Sequence, residues 1–193
     1  VELKNPVNEK TGISDAYVQI KNYMAEIPQL FYYNELCIIS DGVFTEAGTI
    51  SSDIQRFMGW KTLDGKEEAP PEMCSLEVMI TGLLNKNTLL DVIRNFIVFD
   101  GDGRGNKIKK VAASHQYYAT NAIVETTVKA SGIAGDGRSG VVWHTQGSGK
   151  SLTMVFYSGK IAQDPRMNNP TIIVLTDRID LDDQHIQIGR AHV

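Results

Sequence analysis

The nine residues Trp143-His144-Thr145-Gln146-Gly147-Ser148-Gly149-Lys150-Ser151 constrain the fold of this chain more than any others. An apolar run, residues 141–143, precedes them, and residues 150–163 follow with helical periodicity. A phosphate-binding loop needs small residues, so that successive backbone N–H groups can turn toward phosphate oxygens. Gly147 and Gly149 supply that freedom within a loop running from Thr145 and Gln146 through Ser148. Lys150 is placed to reach the β- and γ-phosphates of a nucleotide, the Ser151 hydroxyl to ligate Mg²⁺, and the helix start adds its positive end. The apolar run at 171–175 completes a strand–loop–helix–strand unit, the building block of a parallel α/β sheet. There is one departure: the general pattern GxxxxGK[ST] has glycine where His144 stands, and only the shorter GxGK[ST] core is kept. The residues alone also allow a glycine-rich turn in front of an ordinary helix.

The remaining elements are read from periodicity and turn chemistry. Residues 1–6 form the end of a strand, and residues 15–27 an amphipathic helix stopped by Pro28. Strands are expected at 36–40 and 43–50, joined by an Asp41-Gly42 turn. The polar, proline-containing stretch 64–71 is a linker candidate. Helices are expected at 75–84 and 88–95, then a short strand at 96–99 and a flexible glycine turn at 101–106 followed by Lys107, Lys109 and Lys110. Ser114 is placed to cap a helix reaching about residue 130, before a second glycine-rich loop at 132–140.

Composition excludes several classes. With 193 residues, 42% hydrophobic, 22% charged and a net charge of −4, the chain reads as one medium globular domain or pieces of two. No apolar run approaches the roughly 18 residues of a membrane span, and no signal sequence opens the chain, so no membrane association is expected. Cys37 and Cys74 lie far apart without a CxxC partner, which argues against a disulfide framework or zinc site and fits a reducing cytoplasm. His115, His144, His185 and His192 have no metal-ligand spacing. The net acidity excludes a nucleic-acid coat over the whole surface but leaves room for a local basic channel. The chain starts at Val1 inside a strand and is read as an internal piece of a longer protein. Residues 188–193 break the preceding apolar pattern, back-translate to a common sequencing adapter, and are read as a non-native tail.

Three further constellations carry chemistry. Glu2 and Lys4 alternate on a strand and so face one side, as a metal-dependent nuclease requires: the carboxylate holds Mg²⁺ and the lysine activates water near the scissile phosphate. Solvent-facing strands often carry the same pair, so both readings stay open. Gln19 and Tyr23 share a helix face four residues apart. The Gln116 amide offers the donor and acceptor that match an adenine edge, although an exposed polar residue on an amphipathic helix is the plainer reading. Thr176 and Arg178 follow the apolar run at 171–175, where ligands bind in parallel sheets and where motor proteins contact a DNA backbone.

These pieces, in this order, resemble the restriction (motor) subunit of type I restriction–modification enzymes. The resemblance spans nearly all of residues 1–187, through VELKNP, IPQLFYYNELCIISDG, IQRFMGWK, LLDVIRNFIVFD, HQYYATNAIVE, GVVWHTQGSGKSLTM and PTIIVLTDRIDLDDQ. The last two match superfamily 2 helicase motifs I and Ia in a form where His144 is expected. The resemblance implies that Glu2 and Lys4 belong to a PD-(D/E)xK nuclease motif, with catalytic roles for Gln19 and Tyr23 through its QxxxY element. It sets Gln116 at the helicase Q-motif glutamine. It further implies an α/β fold in two parts. Residues 1–88 would be the later part of a nuclease domain with a mixed sheet, and residues 89–187 the start of a RecA-like motor lobe. The implied whole is an ATP- and Mg²⁺-dependent translocase of double-stranded DNA that cuts away from its recognition site, working with methyltransferase and specificity subunits. The second metal-binding Asp and the later motor motifs would lie outside this sequence. Two alternatives stand beside this reading: a remodelling ATPase whose nuclease has decayed, and a non-catalytic nucleotide-binding module.

Overall fold

The computed structural model describes residues 1–5, 12–101, 105–138 and 140–175. Among the described residues, two small sheets and five α-helices make up a mixed α/β arrangement. In the first sheet β1 (Glu2–Leu3) runs parallel to β2 (Cys37–Ser40), and β2 pairs antiparallel with β3 (Thr45–Gly48). The register Glu2↔Ile39↔Glu46 aligns one row of side chains across all three strands. The parallel step from β1 to β2 is bridged by α1 (Ile13–Glu26), which packs on both strands. Ala16 and Ile20 of α1 meet Cys37 and Ile39 on one face of the sheet. Ile38 and Ala47 point to the other face and enter the main core. The β2–β3 turn is held by Asp41, whose carboxylate accepts the Val43 and Phe44 N–H groups while Gly42 adopts φ +88°. Those N–H groups hold the Asp41 carboxyl below the usual carboxylate range against the opposing effect of burial.

The main core joins both halves of the chain. Trp60, Met79, Phe96, Tyr117 and Phe156 pack together with residues of β2 and β3. They come from α2 (Ser75–Thr81), α3 (Lys86–Asn95), α4 (Ser114–Ser131), α5 (Lys150–Gln163) and the segments between them. Phe96 stacks at 4.8 Å from Tyr117 and 5.3 Å from Phe156. Burial in this cluster pushes the Tyr117 phenol up to about 12, so it stays protonated at neutral pH. The second sheet is an antiparallel hairpin, β4 (Ile97–Gly101) and β5 (Lys107–Val111).

Several sequence expectations change in the structure. The strand expected at 43–50 is shorter, because the Asp41 turn takes up residues 43–44. The lysine-rich stretch after the glycine turn, to which the sequence reading assigned no element, is β5. Ser114 is not the cap of α4: Ala113 occupies that position, and Gln116 Oε1 accepts the Ala113 N–H at 2.9 Å. Leu63, just ahead of the stretch 64–71, accepts a hydrogen bond from Tyr118 Oη at 2.9 Å, and 64–71 itself carries no helix or strand. Neither apolar run around the glycine loop is a strand. Residues 141–143 and 171–175 pair with nothing among the described residues, and Trp143 is 80% and Leu175 89% exposed. A parallel strand exists only through its neighbours, and none lies beside these two runs.

Candidate functional site

The loop before α5 has the geometry that its composition predicts. Gly147 and Gly149 adopt φ +79° and +81°, the left-handed region that costs other residues about 1 kcal/mol. Gly149 is the N-cap of α5, and Lys150 and Ser151 begin the helix. The N–H groups of Gly147, Gly149, Lys150 and Ser151 donate to no backbone carbonyl among the described residues. A helix start with free N–H groups, a positive dipole end and a lysine fits an oligophosphate. Lys150 Nζ folds back to the Thr145 carbonyl at 2.9 Å, which Ser148 Oγ also reaches at 2.7 Å. A phosphate oxygen is a stronger partner for that ammonium than a neutral carbonyl. The Ser151 hydroxyl, one residue on, is the group here that would face a nucleotide-bound Mg²⁺.

The start of α4 grips the same loop from below. Gln116 is 4% exposed, and its Nε2 donates to the carbonyls of Gly149 at 3.1 Å and Ser148 at 3.3 Å. His115 Nε2 donates to the Ser148 carbonyl at 3.0 Å, which requires the Nε2–H tautomer. A Cβ on residue 149 would sit 2.4 Å from Gln116 Nε2 and would displace that amide, while φ +81° favours glycine there independently. The sequence reading gives this amide the adenine edge, yet its oxygen and both hydrogens are committed within the protein. Gln116→Ala is therefore expected to weaken ATP and GTP together by about tenfold, or about 1.4 kcal/mol, through lost loop order. Parallel titrations of the two nucleotides check this, and a change in their ratio would restore the adenine role.

His144 lies 5.8 Å from His115, and its Nδ1 is buried with no partner among the described residues. Burial, with His115 and Lys150 nearby, holds its pKa below the ordinary 6.5. The folded loop thus favours the neutral ring. Its contribution is present above pH 6.5 and is lost as pH falls below that toward the lowered folded value. An imidazole proton titration by NMR should find His144 titrating below 6.5, and a midpoint at or above 6.5 would contradict the burial argument.

The second constellation is smaller. Glu2 Oε1 and Lys4 Nζ form an ion pair at 3.0 Å, each side chain about one-fifth exposed. The Lys4 N–H continues the parallel ladder to the Ser40 carbonyl. Gln19 and Tyr23 lie half-buried on α1, which packs on β1. Among the described residues no hydrogen bond joins either of them to Glu2 or Lys4. No group of three or more His, Cys, Asp or Glu side chains there is arranged to hold a metal ion. Glu2 is the one carboxylate of this pair, and a Mg²⁺ held there would take its other ligands from waters, phosphate oxygens or further side chains. Thr176 and Arg178 fall outside the described residues. Sequence reasoning missed His115 as a loop ligand; its place beside Gln116 at a helix start was the available signal.

Comparison with known proteins matches residues 1–56 to the type I restriction enzyme R protein N terminus and residues 115–191 to the SWI2/SNF2 ATPase family. The HindI type I restriction enzyme endonuclease subunit of Haemophilus influenzae is 47% identical over 188 residues, covering 96% of this chain and 18% of that protein. The chain is thus similar over almost its whole length to one part of a type I restriction enzyme endonuclease subunit. The MjaIXP protein of Methanocaldococcus jannaschii, named for the same kind of subunit, is 33% identical over 203 residues, 95% of this chain and 19% of that one. The SauCOLORF180P endonuclease subunit of Staphylococcus aureus is 27% identical over 185 residues, again 95% and 18%. The chain thus spans less than a fifth of the length of the curated relatives it matches. The glycine loop and the start of α4 fall in the ATPase match, and Glu2, Lys4, Gln19 and Tyr23 in the R-protein match. No helix among the described residues is long and apolar enough to cross a membrane.

Proposed function

We propose that the full-length protein is an ATP-driven translocase of double-stranded DNA that cleaves the duplex away from its recognition site. The observation that carries this reading is the open Gly147–Ser151 loop at the start of α5, with Lys150 beside free N–H groups. In this reading residues 89–187 begin a RecA-like lobe and residues 1–88 end a PD-(D/E)xK nuclease domain. ATP bound with Mg²⁺ supplies a phosphoanhydride whose cleavage drives the motor. Thr145, Gln146, Gly147, Ser148 and Gly149 form the cradle, Lys150 meets the terminal phosphates, and Ser151 faces the cation. Gln116 belongs to the nucleotide site as the residue that sets the cradle's shape. Glu2 and Lys4 lie at the phosphodiester, with Gln19 and Tyr23 on the helix beside them. Thr176 and Arg178 touch the DNA backbone. Glu2 would be one ligand of the nuclease cation, which would polarise the scissile phosphate, with Lys4 beside it.

In this reading a separate specificity subunit reads the DNA target, and a methyltransferase subunit belongs to the same complex. The test is a purified full-length subunit, reconstituted with those partners, on DNA carrying one recognition site and a distant triplex. ATP-dependent triplex displacement followed by cleavage at scattered positions is expected. Displacement without cleavage would favour the remodelling ATPase, and nucleotide binding without DNA-stimulated hydrolysis the non-catalytic module.

A further inference from the structure

Lys109 is buried, its side chain 8% exposed, in the middle of the hairpin strand β5. All three of its polar groups are taken by the segments that flank the β2–β3 hairpin. Its Nζ donates to Glu35 Oε2 at 2.6 Å and to the Asn34 carbonyl at 2.9 Å, just before β2. Its N–H donates to Ser51 Oγ at 2.6 Å, and its carbonyl accepts from Thr49 Oγ1 at 2.6 Å and Ser51 Oγ at 3.0 Å, just after β3. The outer edge of β5 is thus closed by hydroxyls rather than by another strand. β2, held at its entry, is hydrogen-bonded to β1, which carries Glu2. In the other direction β5 runs through Ala112 and Ala113 into the start of α4, where His115 and Gln116 hold the Ser148 and Gly149 carbonyls.

An aliphatic side chain of the same length would fill this space without taking an ammonium out of water. What the lysine adds is a unique arrangement of the two segments it joins. We propose that Lys109 is a positioning residue for DNA cleavage, holding the sheet of Glu2 and Lys4 in fixed relation to the nucleotide loop. The proposal rests on the nuclease-and-motor reading above.

The test uses the full-length subunit with its partners, and reads DNA cleavage and ATP hydrolysis side by side. Lys109→Met keeps the packed stem and removes the ammonium. DNA-stimulated ATP hydrolysis is expected to stay within about twofold of wild type, while cleavage per ATP consumed falls by about tenfold. Glu35→Gln, at a half-exposed position, is expected to lower the same ratio by a smaller factor. A parallel fall of both activities in Lys109→Met would reduce the residue to a structural role and overturn the proposal. So would an unchanged ratio in either variant; should Lys109→Met fail to fold, Glu35→Gln alone decides. Wild-type protein that hydrolyses ATP but never cuts DNA would overturn the nuclease reading, and this proposal with it. A cutting wild type with an unchanged ratio in the variants overturns the Lys109 proposal alone.

Discussion

Lys150→Ala in the full-length subunit is expected to abolish ATP hydrolysis and translocation while leaving the fold intact. Its ammonium is the cation that the described loop offers to the terminal phosphates, and among the described residues it bonds only to the Thr145 carbonyl. That neutral, solvent-exposed contact adds little to stability, so the thermal melting profile should be unchanged. In the transition state the same group faces charge developing on the transferred phosphoryl oxygens. Loss of a charge-assisted contact there should cost a few kcal/mol, a rate loss of about a hundredfold or more. Both nucleotides should suffer equally, because phosphates carry no base identity. Steady-state ATPase with DNA present, alongside a melting curve, checks the prediction. Wild-type turnover in the variant would remove the loop from the catalytic site.

Glu2→Ala and Lys4→Ala are each expected to stop DNA cleavage, by about a hundredfold or more, with DNA-stimulated ATPase preserved. The physical basis for the separation is distance along the fold: β1 touches α1 and β2, whereas the nucleotide loop rests on α4. Removing one member of the pair leaves the other largely covered and without this ion pair, so a stability loss of about 1–3 kcal/mol is expected beside the lost cleavage. Cleavage of plasmid DNA and ATP consumption measured in one reaction separate the outcomes. Persistent cutting in both variants would mean that this strand carries an ordinary structural ion pair. Parallel variants at Gln19 and Tyr23 should lower cleavage more than ATP turnover, by a smaller factor.

Local chemistry made much of this molecule legible before any tertiary structure. The glycine loop and α5 follow from a handful of adjacent residues: two glycines at positive φ, a lysine, a serine and an apolar helical period. Helix α1 ends at Glu26, two residues before Pro28, because proline restricts the backbone ahead of it. The β2–β3 hairpin is announced by Asp41-Gly42 between two apolar runs. The family resemblance rested on the same segments and is upheld by the comparisons.

What depends on distant partners was not readable. Residues 141–143 and 171–175 have strong strand composition but no neighbour among the described residues, and composition does not make a ladder. The reverse holds for β5, whose sequence Lys-Ile-Lys-Lys-Val reads as polar. It is a strand because β4 pairs with it and the Thr49 and Ser51 hydroxyls close its other edge. The Gln116 amide was visible as a donor and acceptor, but its task depends on how closely α4 approaches Gly149. Lys109 looked like one lysine among three; only folding buries it and brings Asn34, Glu35, Thr49 and Ser51 around it. Sequence determines what a segment prefers from its own residues within a turn or two. Tertiary structure decides which backbone edges find partners and which polar atoms are already bonded, because those terms come from residues tens of positions away.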